Sequence, residues 1–363
     1  MYIGVPKERR LFEYRVGMTP TGVKMLTQNG HTCYVEHDAG LGAGFSDLEY
    51  EQAGARIAYS PHEVFGRADL LLKVARPILE EIEWLRPETT LAGLLHLGSA
   101  RHDKIEALLK NQVTAIAYEQ ITLPNGQVPV RRPLSEIGGA LAAQIAARLL
   151  ENNTGGKGIL LGGVPGVPPA EVVIIGAGVC GAYATRAFLG MDAHVTVIDV
   201  NLDALQTIHS RFPGIVTMIS NPVNIARACA FADVVVGAVL LPGEHPPIVV
   251  TREMVQNMKP RSILMDLSID EGGCMETSRP TTHEKPTFID EGVIHYCVPN
   301  MPSAVARTAT YAYLNAAFPY IMEIANKGVD KAITDNPAIE HAISTYKGEV
   351  RHISSLSPLA QPE

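Results

Sequence analysis

Apolar residues recur along the chain in short runs separated by polar and turn residues, and two periods alternate between and within them. Tyr2-Ile3-Gly4-Val5 opens as a strand. Thr19 then stands as an N-cap with Pro20 at the first helical position, and Gly30 ends that helix where a left-handed residue is wanted. A second strand begins at His31. The runs Asp69 to Val74, Thr90 to Leu97 and Val113 to Tyr118 predict further buried strands, each closed by polar or turn residues. Ser135 to Leu150 carries small and apolar residues at helical spacing. Gly155-Gly156-Lys157-Gly158 and Gly162-Gly163-Val164-Pro165-Gly166-Val167-Pro168-Pro169 follow as a junction. From Glu171 the pattern restarts with Val172-Val173-Ile174-Ile175, a glycine turn, a helix and Val195-Thr196-Val197-Ile198, then strands at Asp233 to Ala238 and Ser262 to Leu267. Met301 to Asn326 reads as one long helix that returns the chain to the first domain, and the tail after Gly348 as the loosest part. Strands alternating with helices are the mark of a mainly parallel sheet.

At 363 residues the chain is long enough for two cores. With 46% hydrophobic residues, 6% aromatic and 32 glycines, the composition is that of an α/β enzyme rich in tight turns rather than a disordered chain. A formal charge of -8 without a Lys/Arg cluster argues against binding to a nucleic-acid backbone. The five cysteines are scattered and form no C-x-x-C pair, so neither a disulfide framework nor a zinc site is indicated. No signal order and no apolar run long enough for a membrane appear. The expectation is a cytoplasmic protein with no metal and no membrane partner.

Gly176-Ala177-Gly178-Val179-Cys180-Gly181 is the strongest single motif. Alone, G-x-G-x-x-G is weak, since glycines also serve ordinary turns. Here it follows an aliphatic strand and opens a helix. Gly176 permits the bend, Gly178 lets a pyrophosphate approach backbone N–H groups, and Gly181 lets helix and strand touch. Asp199 ends the next strand, where a carboxylate accepts hydrogen bonds from ribose hydroxyls and repels a 2′-phosphate, which favours NAD over NADP.

Lys73 and His96 stand near the carboxyl ends of apolar strands, the edge at which open α/β sheets bind ligands. Read singly, Lys73 is a snorkelling side chain and His96 a satisfied core histidine; together they suggest a site. Asp270, before Glu271-Gly272-Gly273, projects into a cleft between domains or forms an Asx turn.

The chain resembles bacterial alanine dehydrogenases. The resemblance lies in Ile3-Gly4-Val5-Pro6-Lys7-Glu8 with Glu13-Tyr14-Arg15-Val16, Leu72-Lys73-Val74, Leu95-His96-Leu97, Gly162 to Val167, Asp270-Glu271-Gly272-Gly273-Cys274, Ser278 to Thr282 and Asn300-Met301-Pro302. It spans Met1 to about Gly348. It implies two Rossmann-like, doubly wound domains with a cleft between them: a discontinuous substrate domain over 1–133 and 306–363, and an NAD-binding domain over 134–305. It also implies a homohexamer and the reversible oxidative deamination of L-alanine to pyruvate and ammonia. Carried over by position, Arg15 and Lys73 bind the substrate, His96 and Asp270 are catalytic, and Ser135, Asp199, Arg279, Asn300 and Met301 lie around the NAD.

The residue types suit that chemistry. Hydride leaves the α-carbon only when the amine is neutral, so a base is needed, and histidine titrates in the right range. Several positions depart from the family. Leu94 replaces a residue that is usually aromatic, Arg76 one that is often acidic, and Ala204 one that is often basic. The same chemistry on another small or somewhat larger L-amino acid is therefore an alternative. A non-catalytic NAD-binding homologue is a second, and the nucleotide-binding part of a proton-translocating transhydrogenase a third.

Overall fold

The computed structural model describes residues 1–241 and 245–353, and its chain divides into two compact units, Met1–Leu134 with Ser303–Glu363, and Ser135–Pro302. The first unit begins with β1 (Tyr2–Val5), β2 (Thr32–Glu36), β3 (Arg56–Ala58), β4 (Leu70–Ala75), β5 (Thr90–Leu94) and β6 (Thr114–Ala117). The second contains β7 (Glu171–Ile175), β8 (His194–Asp199), β9 (Val216–Ile219), β10 (Val234–Gly237), β11 (Ile263–Asp266), β12 (Thr287–Asp290) and β13 (Val293–Tyr296). The chain then returns to the first unit with β14 (Ile343–Tyr346) and β15 (Glu349–Val350).

The first sheet runs β15-β14-β6-β5-β4-β1-β2-β3, parallel from β6 to β3, with β14 antiparallel to β6 and β15 to β14. Both faces are covered, so its central strands are apolar on both sides rather than alternating with polar residues. Leu70, Leu72 and Val74 join one core with Val23, Leu26, Tyr313 and Ile321 from helices Pro20–Gln28 and Ala306–Lys327. Leu71 and Leu91 join another with Phe65, Ile105 and Leu108 from helices Pro61–Arg67 and His102–Lys110. The sheet's strand order reverses at β1 and β4. Ligands of open α/β sheets gather at the carboxyl ends of strands flanking such a point.

The second sheet runs β12-β13-β11-β10-β7-β8-β9, parallel except for β12, and reverses at β7 and β10. Both units are thus doubly wound.

Thr19 caps helix Pro20–Gln28 by accepting the Gly22 N–H, and Gly30 beyond its end has φ +84°, as the sequence predicts. Four expectations are corrected. The Thr90 to Leu97 run stops as a strand at Leu94, because His96 is left-handed (φ 42°, ψ 47°) and a 3-10 turn over Leu97–Ser99 follows. Met301 begins a 3-10 turn, and the α-helix starts only at Ala306, because Val305 between them leaves helical geometry (φ -120°, ψ 53°). The Gly155 to Pro169 stretch is not a junction between units but lies inside the second, folded on itself by a Val164–Val167 bridge with Gly163 and Gly166 at positive φ. Beyond Gly348, Glu349–Val350 pairs with β14, whereas residues 354–363 of the tail lie outside the described residues.

Candidate substrate and nucleotide sites

Arg15 follows β1, and the backbone there lies hard against β4: a Cβ on Gly17 would stand 1.9 Å from the Leu72 carbonyl oxygen. The segment is braced by Tyr313 Oη, which donates to the Val16 carbonyl at 2.6 Å, and by Tyr50 Oη, which donates to Met18 at 2.7 Å. Arg15 is 4% exposed. Its Nε and Nη2 donate to the two oxygens of Glu13 at 2.8 and 2.6 Å, a bidentate pair that holds the guanidinium plane. Burial alone would lower its pKa, but Glu13 outweighs that and raises it.

Lys73 lies on β4 and has no exposed surface, so it is not a snorkelling side chain. Nζ is 2.8 Å from Glu81 Oε1 and 3.1 Å from Glu8 Oε2. Burial works against the ammonium; Glu8 and Glu81 prevail and raise its pKa. Glu8 is itself pushed up by burial, with Lys73 opposing, and its Oε1 accepts the Val74 N–H at 2.7 Å. Arg15 and Lys73 are therefore held as cations in one buried network with Glu8, Glu13 and Glu81. Fixed cations of this kind suit recognition of a small carboxylate.

His96 lies just past β5, beside the strand that bears Lys73. Its side chain is exposed, so it is not a core histidine. Its backbone is held on both sides. Glu119 accepts the Leu95 N–H at 3.1 Å and the His96 N–H at 2.5 Å, one on each carboxylate oxygen. The His96 carbonyl accepts Arg76 Nη1 at 3.2 Å, Ser99 Oγ at 3.0 Å and Ser99 N–H at 3.1 Å.

In the second unit the glycine turn sits at the switch between β7 and β10. Gly176 has φ +111°, and a Cβ on it would meet the Ala238 carbonyl at 2.4 Å. A Cβ on Gly181 would meet the Gly176 carbonyl oxygen at 1.8 Å, whereas one on Gly178 would meet nothing within 4 Å. Only at Gly178, then, is there open space, which is where a pyrophosphate approaches the backbone in this motif. Gly178 is also the N-cap of helix Val179–Leu189 and offers no side chain to its first N–H groups. Asp199 ends β8, half-buried, and accepts the Ala177 N–H at 2.6 Å and the Asn201 N–H at 2.7 Å, which fixes its carboxylate beside the turn. These features fit a dinucleotide with free ribose hydroxyls.

Asp270 lies on a 3-10 turn after β11, exposed, and both its oxygens are 3.1 Å from the Asn300 N–H, a long-range bond. Asn300 has φ +54° and Met301 is buried next to it. The loop is shaped by Asp266, which accepts the Ser268 N–H at 3.0 Å and the Cys274 N–H at 2.9 Å. Ser135 lies near the start of helix Arg132–Leu149, and the Arg279 guanidinium lies over Phe288 at 4.2 Å.

The structure thus groups Arg15 with Lys73, places His96 one strand away, and groups Asp270 with Asn300. Sequence reasoning assigned nothing to Glu8, Glu13, Glu81 or Glu119. A usable signal existed for some of them, because buried cations require carboxylate partners and Glu8 and Glu13 both precede Arg15 by a few residues.

Two family models match, Alanine dehydrogenase/PNT, N-terminal domain, over residues 4–138 and Alanine dehydrogenase/PNT, C-terminal domain, over residues 142–353. The chain is 48% identical to the alanine dehydrogenase of Bacillus subtilis over 97% of its own length and 93% of that protein's. It is 44% identical to the alanine dehydrogenase of Halomonas elongata over 97% and 95%. Among solved structures, an L-alanine dehydrogenase superposes with a TM-score of 0.94 at 42% identity, covering 97% of each chain. A transhydrogenase from Sinorhizobium meliloti superposes less well, with a TM-score of 0.82 at 25% identity over 97% of this chain and 99% of that one. With both halves of the family matched and the expected side chains at the switch points of both sheets, the chain belongs to the alanine dehydrogenase family.

Proposed function

We propose that the protein catalyses the NAD-dependent, reversible conversion of L-alanine and water to pyruvate and ammonia. The observation that carries this reading is the exposed His96 imidazole, rigidly seated one strand from the buried cations Lys73 and Arg15. Arg15 and Lys73 hold the substrate carboxylate and, on the pyruvate side, polarise the carbonyl oxygen. His96 takes the proton from the substrate ammonium, so that the lone pair of the neutral amine drives loss of hydride from the α-carbon. Once it has released that proton to solvent, it removes a proton from the water that adds to the iminium carbon, returns it to nitrogen so that ammonia departs, and takes up the carbinol O–H proton as the carbonyl forms. Asp270, held by the Asn300 N–H, steadies the positive charge that nitrogen carries before and after the hydride step.

NAD, when bound, supplies the hydride acceptor. Gly176, Gly178, Gly181 and Asp199 would hold its pyrophosphate and adenosine ribose; Ser135, Arg279, Asn300 and Met301 would complete its surroundings. The same reading assigns a homohexamer working in the cytoplasm, with the substrate domain over 1–133 and 306–363. Leu94 is only 6% exposed and belongs to the core of the first unit, which supports a small substrate over an enlarged pocket.

The test is NADH formation from L-alanine and NAD at alkaline pH, run beside a panel of other L-amino acids and, in reverse, 2-oxo acids with ammonia. Alanine is expected to be the best substrate, and His96→Ala to lower kcat by about 10²- to 10⁴-fold. Absence of turnover with every small amino acid would remove the reading.

A further inference from the structure

His96 is a side-chain residue in left-handed conformation, which few residues other than glycine adopt without outside support. Such a conformation persists only where neighbouring groups over-determine it, and here the neighbours are specific. Glu119 is 9% exposed and spends its two oxygens on two successive N–H groups, those of Leu95 and His96. On the other side, Arg76 Nη1 reaches both the His96 carbonyl at 3.2 Å and Ser99 Oγ at 2.9 Å. Arg76 directly follows β4, His96 lies past the end of β5, and Glu119 lies in the turn after β6, so three neighbouring strands are tied together at one residue.

The consequence is geometric. With both flanking peptides fixed, the Cα–Cβ direction of His96 is fixed too, and only side-chain rotation remains. The left-handed turn also breaks the alternation of β5, so the imidazole points to solvent while Leu94, Leu95 and Leu97 remain buried. We infer that Glu119 and Arg76 are positioning residues for His96, an assignment that rests on His96 being the proton carrier. Arg76, a departure from the family at the level of sequence, is then a working part of this chain's site.

Glu119→Gln is the informative substitution. Its single amide oxygen can satisfy one of the two N–H groups, while its NH₂ meets the other donor head-on. Loss of orientation at the reacting group is expected to lower kcat for alanine deamination by about 10- to 100-fold, with KM for alanine changing less than about threefold. Arg76→Ala leaves both Ser99 donors on the carbonyl, so its expected loss in kcat is about two- to fivefold. Each change is then repeated in the His96→Ala background. A positioning residue has nothing left to position there, and the residual rate is expected to fall by less than about twofold further. Thermal unfolding confirms that each variant is folded; should Glu119→Gln unfold, the half-buried Arg76→Ala carries the same comparison.

An undiminished kcat in Glu119→Gln, with His96→Ala inactive, overturns the clamp and leaves the proposed reaction standing. Equal losses in the two backgrounds overturn it as well, since they report general damage. A fully active His96→Ala overturns the clamp together with the assignment of His96 as proton carrier.

Discussion

Arg15 donates to Glu13 from its backbone and from two guanidinium nitrogens, so what that site holds is a plane as well as a charge. A lysine there keeps the charge and loses the fork. Arg15→Lys is therefore expected to raise KM for alanine by about tenfold with a smaller effect on kcat, read from steady-state kinetics. Asp199 presents a parallel case on the nucleotide side. Its oxygens are pinned by the Ala177 and Asn201 N–H groups, so the charge that would repel a 2′-phosphate is fixed in place. Asp199→Ala is expected to weaken NAD by about tenfold and to raise the NADP-to-NAD ratio of kcat/KM; an unchanged ratio would remove Asp199 from cofactor choice. At this scale the sequence shows the candidate groups, because their types and strand-end positions match those of a ligand site. It hides the groups that hold them. Lys73 and Glu81 are eight residues apart and His96 and Glu119 twenty-three, separations that only the finished sheet turns into contacts.

Strands are legible where β-branched and aliphatic runs are continuous, as in β7, β8 and β10, and illegible where burial is partial or polar. β12 is mostly half-buried or exposed, and β14 carries Ser344 and Thr345 in its interior. Thr345 is accommodated there because its hydroxyl donates to the Val113 carbonyl at 2.8 Å, a long-range bond that no local pattern announces. Asp233, just before β10, shows how polar groups join elements. It accepts Lys157 Nζ at 2.5 Å, Lys259 Nζ at 3.1 Å and the Glu171 N–H at 3.0 Å. Burial raises the pKa of its carboxyl, but these three donors outweigh burial and hold it below the usual value. A depressed folded pKa means that the unfolded chain binds the proton first. The stabilisation is full above the unfolded value of about 3.9 and is lost as pH falls through the folded one. Asp233→Asn is thus expected to cost roughly 2–3 kcal/mol near neutral pH, with the two chains converging in acid; urea unfolding across pH measures it.

For the whole molecule, the decisive feature is that the first unit is built from both ends of the chain. Helix Ala306–Lys327 places Ala306, Tyr313, Leu314, Ala317, Ile321 and Ile324 in the same core as Val16, Met18, Val23 and Leu26. Each large side chain so buried contributes about 1.5–3 kcal/mol, and the helix supplies four, so its loss rivals the roughly 5–15 kcal/mol that keeps an ordinary domain folded. β14 would be lost with it, leaving the long edge of β6 unpaired. Tyr313 would go too, and with it the hydroxyl that holds the Val16 carbonyl next to Arg15. The second unit, Ser135–Pro302, is continuous and contains all seven strands of its own sheet. A chain ended after Pro302 is therefore expected to lose the first unit and retain the second. Limited proteolysis should digest residues 1–134 and leave a resistant fragment close to 135–302, and that fragment should still melt cooperatively by circular dichroism. A protease-resistant fragment covering 1–134 would show instead that the first six strands suffice, and that the C-terminal helix adds to this unit without being required by it.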